Sequence, residues 1–199
     1  MNHVIYGFIA GFSFRHRLAS LLRSFPGDTV THSISPEDLN ESGVTVLALD
    51  FDGVLAPHGR PEPIREATDW LSRCSSVFGE HCIFILSNKP TRARCDWFNS
   101  HFPGIRFISG VRKKPYPDGL LKVIEQSQAK PDAVMLVDDR LLTGVLATCL
   151  AGTRVTYINR PYTDICRKPL QEIFFATLRT VERILISFVP VNGDERRTR

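Results

Sequence analysis

The chain has 199 residues, of which 43% are hydrophobic, and its formal net charge is +4. This length is sufficient for one well-buried domain and short for two. The modest positive charge suits a protein near phosphates or an anionic membrane, but it is too small to indicate a nucleic-acid partner. The five cysteines form no CxxC pair, so we expect reduced thiols, no cysteine-bound metal cluster and a reducing compartment.

The first segment, residues 1–27, contains no acidic side chain and combines aromatic and aliphatic residues with arginines. Two interpretations are equally supported. The segment either lies at a membrane interface, with its arginines against anionic headgroups, or it packs its aromatic side chains on the domain. An organellar targeting sequence is a third, less favoured alternative.

Strands and helices are predicted to alternate along the rest of the chain. Short apolar runs predict strands over residues 44–49, 82–86, 105–108, 133–137 and 155–158. Helical spacing of apolar residues predicts helices over residues 63–78, 91–102, 117–128, 141–150 and 170–188. Alternation with short connections predicts an α/β domain over residues 28–190, with a central parallel sheet and helices on both faces. Residues 191–199 form a charged tail.

Three of the predicted strands end in polar side chains. These side chains belong to Asp50, Asp52, Ser87, Asn88, Asp138 and Asp139. Because the carboxyl ends of parallel strands share one edge of a sheet, we expect them to lie together. Clustered carboxylates favour Mg²⁺, and Lys114 and the hydroxyl would remain to hold a phosphoryl group. Each element alone is also typical of a solvated loop or a helix cap, so the prediction depends on their combination and order.

The segments DFDGVL, LSN, KKP and VDDR resemble motifs I to IV of the haloacid dehalogenase superfamily of aspartate-nucleophile phosphatases. Their order differs from that of response-regulator receiver domains, whose phosphorylated acid follows the third strand. The resemblance implies a three-layer, Rossmann-like fold in which Asp50 is the nucleophile and Asp52 the general acid and base. It also implies phosphoryl contacts by Ser87 and Lys114. Mg²⁺ would be held by the Asp50 carboxylate, the Asp52 backbone carbonyl and Asp139.

Within the superfamily, residues 26–190 most resemble the YqeG-type phosphatases, which are similar to the mitochondrial phosphatidylglycerophosphate phosphatase. The stretches SISPEDLNESGV, KKPYPDGL, VDDRLLTGVLATCLAG and INRP carry this resemblance. It selects Lys114 over Lys113, because the family lysine precedes a proline. It implies removal of the terminal phosphate from phosphatidylglycerophosphate, a step of phospholipid biosynthesis. The expected location is peripheral, at the cytoplasmic face of the inner membrane, or in the mitochondrial matrix of a eukaryote.

The chain departs from the family pattern at two places. The family's second acid after motif IV is replaced by Gly144, while Asp138 stands where a glycine is usual. We expect Asp138 to supply the missing carboxylate and count it among the metal ligands. The other departure is Gly53-Val54 in motif I, where YqeG-type members commonly have Asn-Thr.

The spacing of the motifs leaves no room for a large cap domain, because each gap fits about one helix and one strand. An open site suits a large or surface-presented substrate, and Asn88 and Arg140 are candidates for contacting it. The leading hypothesis is a lipid phosphate monoesterase. The alternatives are a capless phosphatase of phosphoproteins or soluble sugar or nucleotide phosphates, and a non-catalytic module. The helix over residues 170–188 has an apolar face that either meets a membrane or packs in the core, and we favour core packing.

Overall fold

The structure, a computed structural model, describes residues 3–87 and 90–190, with side chains from residue 6 onward. Its helices are α1 (His3–Ser13), α2 (Arg15–Ser24), α3 (Pro36–Glu41), α4 (Arg65–Phe78), α5 (Arg92–His101), α6 (Asp118–Ser127), α7 (Leu146–Ala151) and α8 (Pro169–Ser187). Its strands are β1 (Val46–Leu49), β2 (Ile83–Ile85), β3 (Arg106–Phe107), β4 (Val134–Asp138) and β5 (Arg154–Tyr157). A π-helical turn, Leu141–Val145, leads directly into α7.

The five strands form one parallel sheet in the order β3-β2-β1-β4-β5. Successive side chains of a strand point to opposite faces, and both faces are covered. Leu47 of β1 packs with Trp70 of α4 on one face, and Ala48 packs with Leu120 of α6 on the other. The predicted three-layer α/β fold is therefore confirmed.

Helices α1 and α2 pack on the domain. Leu18 and Ala19 of α2 are buried in a third apolar cluster with Tyr157 and Ile186. The Arg23 guanidinium donates hydrogen bonds to the carbonyls of Ser187 and Val189, at the end of α8. On the other side of α1, three apolar side chains are exposed, namely Phe8, Ile9 and Phe12. The segment thus packs on the domain as one interpretation predicted, and membrane contact by its exposed side stays a prediction.

The expectation that the apolar face of α8 packs in the core is wrong. Its inward face carries the charged residues Glu172, Arg179 and Glu182, which are all buried. Its exposed large apolar side chains are Leu170, Ile173, Phe174, Val181, Ile184, Leu185 and Phe188. The charged side chains face inward because each is paired with a group at the carboxyl edge of the sheet. A helix with this orientation presents hydrocarbon to the outside.

The connections between the motif residues are short. Between Asp52 and Ser87 the chain forms α4 and β2, and between Ser87 and Lys114 it forms α5 and β3. Within residues 3–87 and 90–190, no separate domain covers the carboxyl edge of the sheet, which agrees with the prediction of no large cap. No helix among the described residues has both the length and the apolar character required to cross a bilayer.

Candidate active site

Three carboxylates meet where β1 and β4 end. The two strands are direct neighbours, with Leu49 paired to Val137. Asp50 follows β1, Asp138 is the last residue of β4, and Asp139 comes next. Each of these aspartates has a carboxylate oxygen, and the three oxygens lie within 4.8 Å of one another. Adjacent parallel strands therefore bring together acids that are almost ninety residues apart in the sequence.

Lys114 links two of these acids. Its Nζ lies 2.9 Å from Asp50 Oδ1 and 2.5 Å from Asp138 Oδ2, and the side chain is buried. Burial alone would lower the pKa of Lys114, but the two carboxylates outweigh it and raise the pKa. The side chain therefore remains an ammonium ion at neutral pH. Lys113 lines the neighbouring pocket wall.

Two of the acids bind protons more tightly than usual. Burial raises the pKa of Asp50 from 3.8 to about 7 against the attraction of Lys114, and the charges of Asp138 and Asp139 act in the same direction as burial. Burial and the charge of Asp138 likewise raise the pKa of Asp139 to about 6, although Arg179 donates to its Oδ2 at 2.6 Å. Unless a further cation is bound, the ionised carboxylates of Asp50, Asp138 and Asp139 therefore repel one another.

Asp52 is held by Arg94 of α5, which the sequence did not indicate as a site residue. Arg94 Nη2 donates to Asp52 Oδ1 at 3.1 Å, and the Gly59 N–H donates to the same oxygen at 3.1 Å. The guanidinium also donates to Ser87 Oγ at 3.1 Å and lies 3.5 Å from the centre of the Phe51 ring. Arg94 is buried, and its hydrogen bonds connect the chain segments that follow β1 and β2.

The carboxylate of Asp138 fills the space in front of Gly144. A Cβ atom at position 144 would lie 2.0 Å from Asp138 Cγ and 2.1 Å from its Oδ2. The other carboxylate oxygen of Asp138 accepts a hydrogen bond from the Arg140 N–H at 2.9 Å. Asp138 can therefore reach Lys114 in this way only because residue 144 is a glycine.

Gly53 is required for a similar reason. Its φ of +86° is in the left-handed region, and a Cβ there would lie 2.6 Å from Asp139 Oδ2. The glycine lets the motif I loop run close against the acid that follows β4. A side chain at this position, such as that of asparagine, would therefore collide with Asp139 in this structure.

Helix α8 frames the site with its buried charges. Glu182 accepts hydrogen bonds from the Arg140 guanidinium and from the Leu141 N–H, the latter at 2.9 Å. Glu172 accepts from the His58 N–H at 3.0 Å and lies 3.2 Å from His58 Nδ1. Burial lowers the pKa of His58 despite the attraction of Glu172. These contacts, together with the ion pair of Arg179, tie α8 to the chain segments that follow β1 and β4.

The two predicted substrate contacts are Arg140 and Asn88. Arg140 lines the pocket beside Asp139, but its guanidinium is already paired with Glu182. A role in substrate binding therefore stays a prediction for Arg140. Asn88 lies outside the described residues.

The clustered groups face an open pocket of about 280 Å³. The pocket is lined by Asp50, Asp52, His58, Lys113, Lys114, Asp139, Arg140, Thr143, Gln171 and Phe175. Ser87 lies on the other side of Lys114, in an adjoining pocket of about 180 Å³. A carboxylate beside a fixed ammonium ion, with a second acid nearby, provides the groups that phosphoryl transfer requires.

Comparisons with known proteins identify the family. The sequence profile of a family described as mitochondrial PGP phosphatase matches residues 28–163, which is more than half of the chain. A comparison with curated protein sequences gives no match.

Two solved structures are similar to the chain. One is a protein from Lactobacillus delbrueckii subsp. bulgaricus named as a phosphoglycolate phosphatase, with 15% identity, a TM-score of 0.42, and coverage of 66% of this chain and 54% of that chain. The other is the core domain of a protein of the same name from Streptococcus pneumoniae TIGR4, with 20% identity, a TM-score of 0.40, and coverage of 66% and 96%. The chain thus spans little more than half the length of the first protein.

The range that matches the family profile contains Asp50, Asp52, Lys114 and Asp139. The resemblance to the mitochondrial phosphatidylglycerophosphate phosphatase is thereby confirmed. The chain therefore belongs to the family described as mitochondrial PGP phosphatase.

Proposed function

We propose that the protein removes the terminal phosphate of phosphatidylglycerophosphate and releases phosphatidylglycerol. The observation that carries this proposal is the contact of Lys114 with Asp50 at an open pocket, in a chain of the PGP phosphatase family. The exposed apolar side chains of α1 and α8 support a lipid substrate. The description of the family favours the mitochondrial matrix over the bacterial membrane face as the location.

In the first step, an Asp50 oxygen attacks the phosphorus atom and the ester bond to the leaving oxygen breaks. The Lys114 ammonium group contacts the attacking Asp50 carboxylate and stabilises the negative charge that develops on the phosphoryl oxygens. Asp52 gives its proton to the leaving oxygen of the alcohol. The products of this step are the free alcohol and an aspartyl-phosphate at Asp50.

In the second step, Asp52 takes a proton from a water molecule whose oxygen attacks the same phosphorus atom. The bond between phosphorus and Asp50 breaks, and the carboxylate is restored. Arg94 and the Gly59 N–H hold Asp52 in place for both proton transfers. Ser87 Oγ accepts from Arg94, so its own hydrogen can be donated to a phosphoryl oxygen.

The acidic cluster fits Mg²⁺, which prefers oxygen ligands. We propose that Asp50 and Asp139, with the Asp52 backbone carbonyl, hold the ion. Both carboxylate oxygens of Asp138 are engaged, by Lys114 and by the Arg140 N–H, so we assign Asp138 to positioning Lys114 rather than to direct ligation. When bound, the ion would offset the charge of the carboxylates and of the phosphoryl group.

The raised pKa values predict how Mg²⁺ and pH act on stability. The folded protein binds the protons of Asp50 and Asp139 more tightly than the unfolded chain, in which the value is 3.8. Their contribution to the free energy of unfolding is complete below the unfolded-state pKa of 3.8. It is lost as the pH rises through the folded-state pKa values, which are about 6 for Asp139 and about 7 for Asp50. Mg²⁺ binds the ionised carboxylates, so thermal unfolding should show a larger Mg²⁺-induced rise in Tm at about pH 8 than at about pH 5.

The control for this prediction is Asp139→Asn, which should lose most of the Mg²⁺-induced rise in Tm. An equal rise at both pH values, or a full rise in the variant, would argue against a Mg²⁺ site at these carboxylates.

The substrate proposal is tested by phosphate release from phosphatidylglycerophosphate in mixed micelles, beside glycerol 3-phosphate, a sugar phosphate and a phosphopeptide. We expect kcat/KM for the lipid to exceed that for each soluble ester by about a hundredfold or more, because only the lipid can use apolar contacts. Higher kcat/KM for the phosphopeptide or a soluble ester would replace the lipid proposal by the corresponding alternative.

A further inference from the structure

A second, larger groove lies between α1 and α8. Its volume is about 450 Å³, which is in the range of small-molecule sites. Its apolar wall consists of Phe8 from α1 and of Phe174, Leu178, Val181 and Leu185 from α8. We call this feature the α1–α8 groove. The inverted orientation of α8 is the reason that so much hydrocarbon lines it.

The α1–α8 groove continues into the catalytic pocket. Five residues line both, namely Lys113, Lys114, Arg140, Thr143 and Phe175. The shared wall is mostly polar and carries the two lysines, whereas the far part of the groove is apolar. This gradient matches a molecule with an anionic phosphate at one end and hydrocarbon at the other.

We propose that the α1–α8 groove binds the hydrocarbon chain of the lipid whose phosphate lies at Asp50. This inference rests on the proposed function and adds the site at which the lipid is recognised. Phe175 stacks on His58 with 4.0 Å between ring centres and stands at the passage from groove to pocket. The lipid headgroup crosses this passage, with its phosphate on the side of Lys114.

The surroundings of the groove favour a lipid over a protein as its occupant. Apolar side chains on α1 and α8 remain exposed beyond the groove, and they include Ile9, Phe12, Leu170 and Phe188. These exposed apolar side chains can contact a lipid surface, and a hydrocarbon chain of one lipid can enter the groove from that surface. A protein segment in the groove would instead cover the shared wall at Lys113 and Lys114 and obstruct the catalytic pocket.

The test uses alkyl phosphonates, which cannot be hydrolysed, so that binding is separated from turnover. Calorimetry with butyl and octyl phosphonate, kept below their micellar concentrations and with Mg²⁺ present, gives the Kd of each. Each buried methylene should lower Kd by roughly two- to fourfold, so octyl phosphonate should bind at least about tenfold more tightly than butyl phosphonate.

Adjacent residues of α8 provide matched variants. Phe174 lines the groove and is 58% exposed, whereas Ile173 is 55% exposed and does not line it. Leu185 lines the groove and is 49% exposed, whereas Ile184 is 51% exposed and does not. Phe174→Gln and Leu185→Gln should reduce the octyl-to-butyl preference to near one. Ile173→Gln and Ile184→Gln should keep the wild-type preference, and Tm values check the fold of all four.

The outcomes separate the two proposals. Chain-length-dependent binding without any phosphatase activity would support the groove and overturn the proposed function. Phosphatase activity with equal Kd values for the two phosphonates, or equal losses in groove and control variants, would overturn the groove. A change of oligomeric state in Leu185→Gln, seen by sedimentation without a change in preference, would identify a second copy of the chain as the occupant and also overturn it.

Discussion

Replacing Asp50 by asparagine is expected to abolish phosphate release, with kcat lowered by at least about a thousandfold. The amide cannot form the bond to phosphorus. Among the described carboxylates, only Asp138 also forms an ion pair with Lys114, and it is fully buried and so cannot replace Asp50 as the nucleophile. The loss should not come from unfolding. Because burial raises the pKa of Asp50 to about 7, its charge is costly in the metal-free protein, and the neutral amide should keep or raise Tm near neutral pH.

The measurement is kcat with an aryl phosphate, together with acid-quenched reactions that trap phosphorylated protein. Asp132→Asn is the matched control, because Asp132 is exposed just before β4, at the opposite edge of the sheet. It should retain wild-type kcat and the trapped phosphoprotein. If Asp50→Asn retains more than about a tenth of wild-type kcat, another group is the nucleophile.

The second large effect concerns Asp138 and Gly144, which we expect to behave as one unit. Asp138→Gly removes a partner from the buried Lys114, which should cost about 3–5 kcal/mol of stability. It should also lower kcat roughly a hundredfold, because Lys114 loses the contact that orients it toward Asp50. Gly144→Asp places a second side chain in the volume of the Asp138 carboxylate and should destabilise the protein by about 3 kcal/mol.

The double variant Asp138→Gly with Gly144→Asp should recover much of both losses. It removes the collision and supplies a carboxylate to the same space from the other side. Thermal unfolding and kcat of the four proteins form a double-mutant cycle, with an expected coupling of about 2–3 kcal/mol. Gly27→Asp is the control for adding an aspartate, since a Cβ at Gly27 meets nothing within 4 Å. Additive losses in the cycle would show that the two positions do not substitute for each other.

The sheet and its order of motifs were predictable because each strand is a short apolar run that ends in a turn or a polar residue. Hydrophobic spacing located each predicted strand, and each predicted helix but one, within two residues of its observed bounds. The exception is the helix predicted over residues 141–150, because α7 begins only at Leu146, after the π-helical turn. The predicted groups Asp50, Ser87, Lys114 and Asp139 follow directly from strand ends or the loop before α6, where local sequence determines position. The resemblance then gave their expected roles.

The contacts that complete the site were not predictable in the same way. Arg179 pairs with Asp139 across 40 positions, and Arg94 pairs with Asp52 across 42. Such pairs depend on how helices pack on the sheet, which local patterns do not encode. A signal was nevertheless present in α8, where Glu172, Arg179 and Glu182 recur at helical spacing and mark one face. Hydrophobicity alone therefore predicts the wrong inward face of α8, since the buried face carries this charged stripe.

The position of α8 changes what counts as the smallest working unit of this protein. The family profile ends at residue 163, before α8 begins at Pro169. A fragment cut at that boundary would keep every predicted catalytic residue but leave Asp139 without Arg179 and Arg140 without Glu182. Buried charges deprived of their partners are severely destabilising. Expression trials, domain fusions and comparisons with shorter relatives should therefore treat residues up to the end of α8 as part of the catalytic machinery.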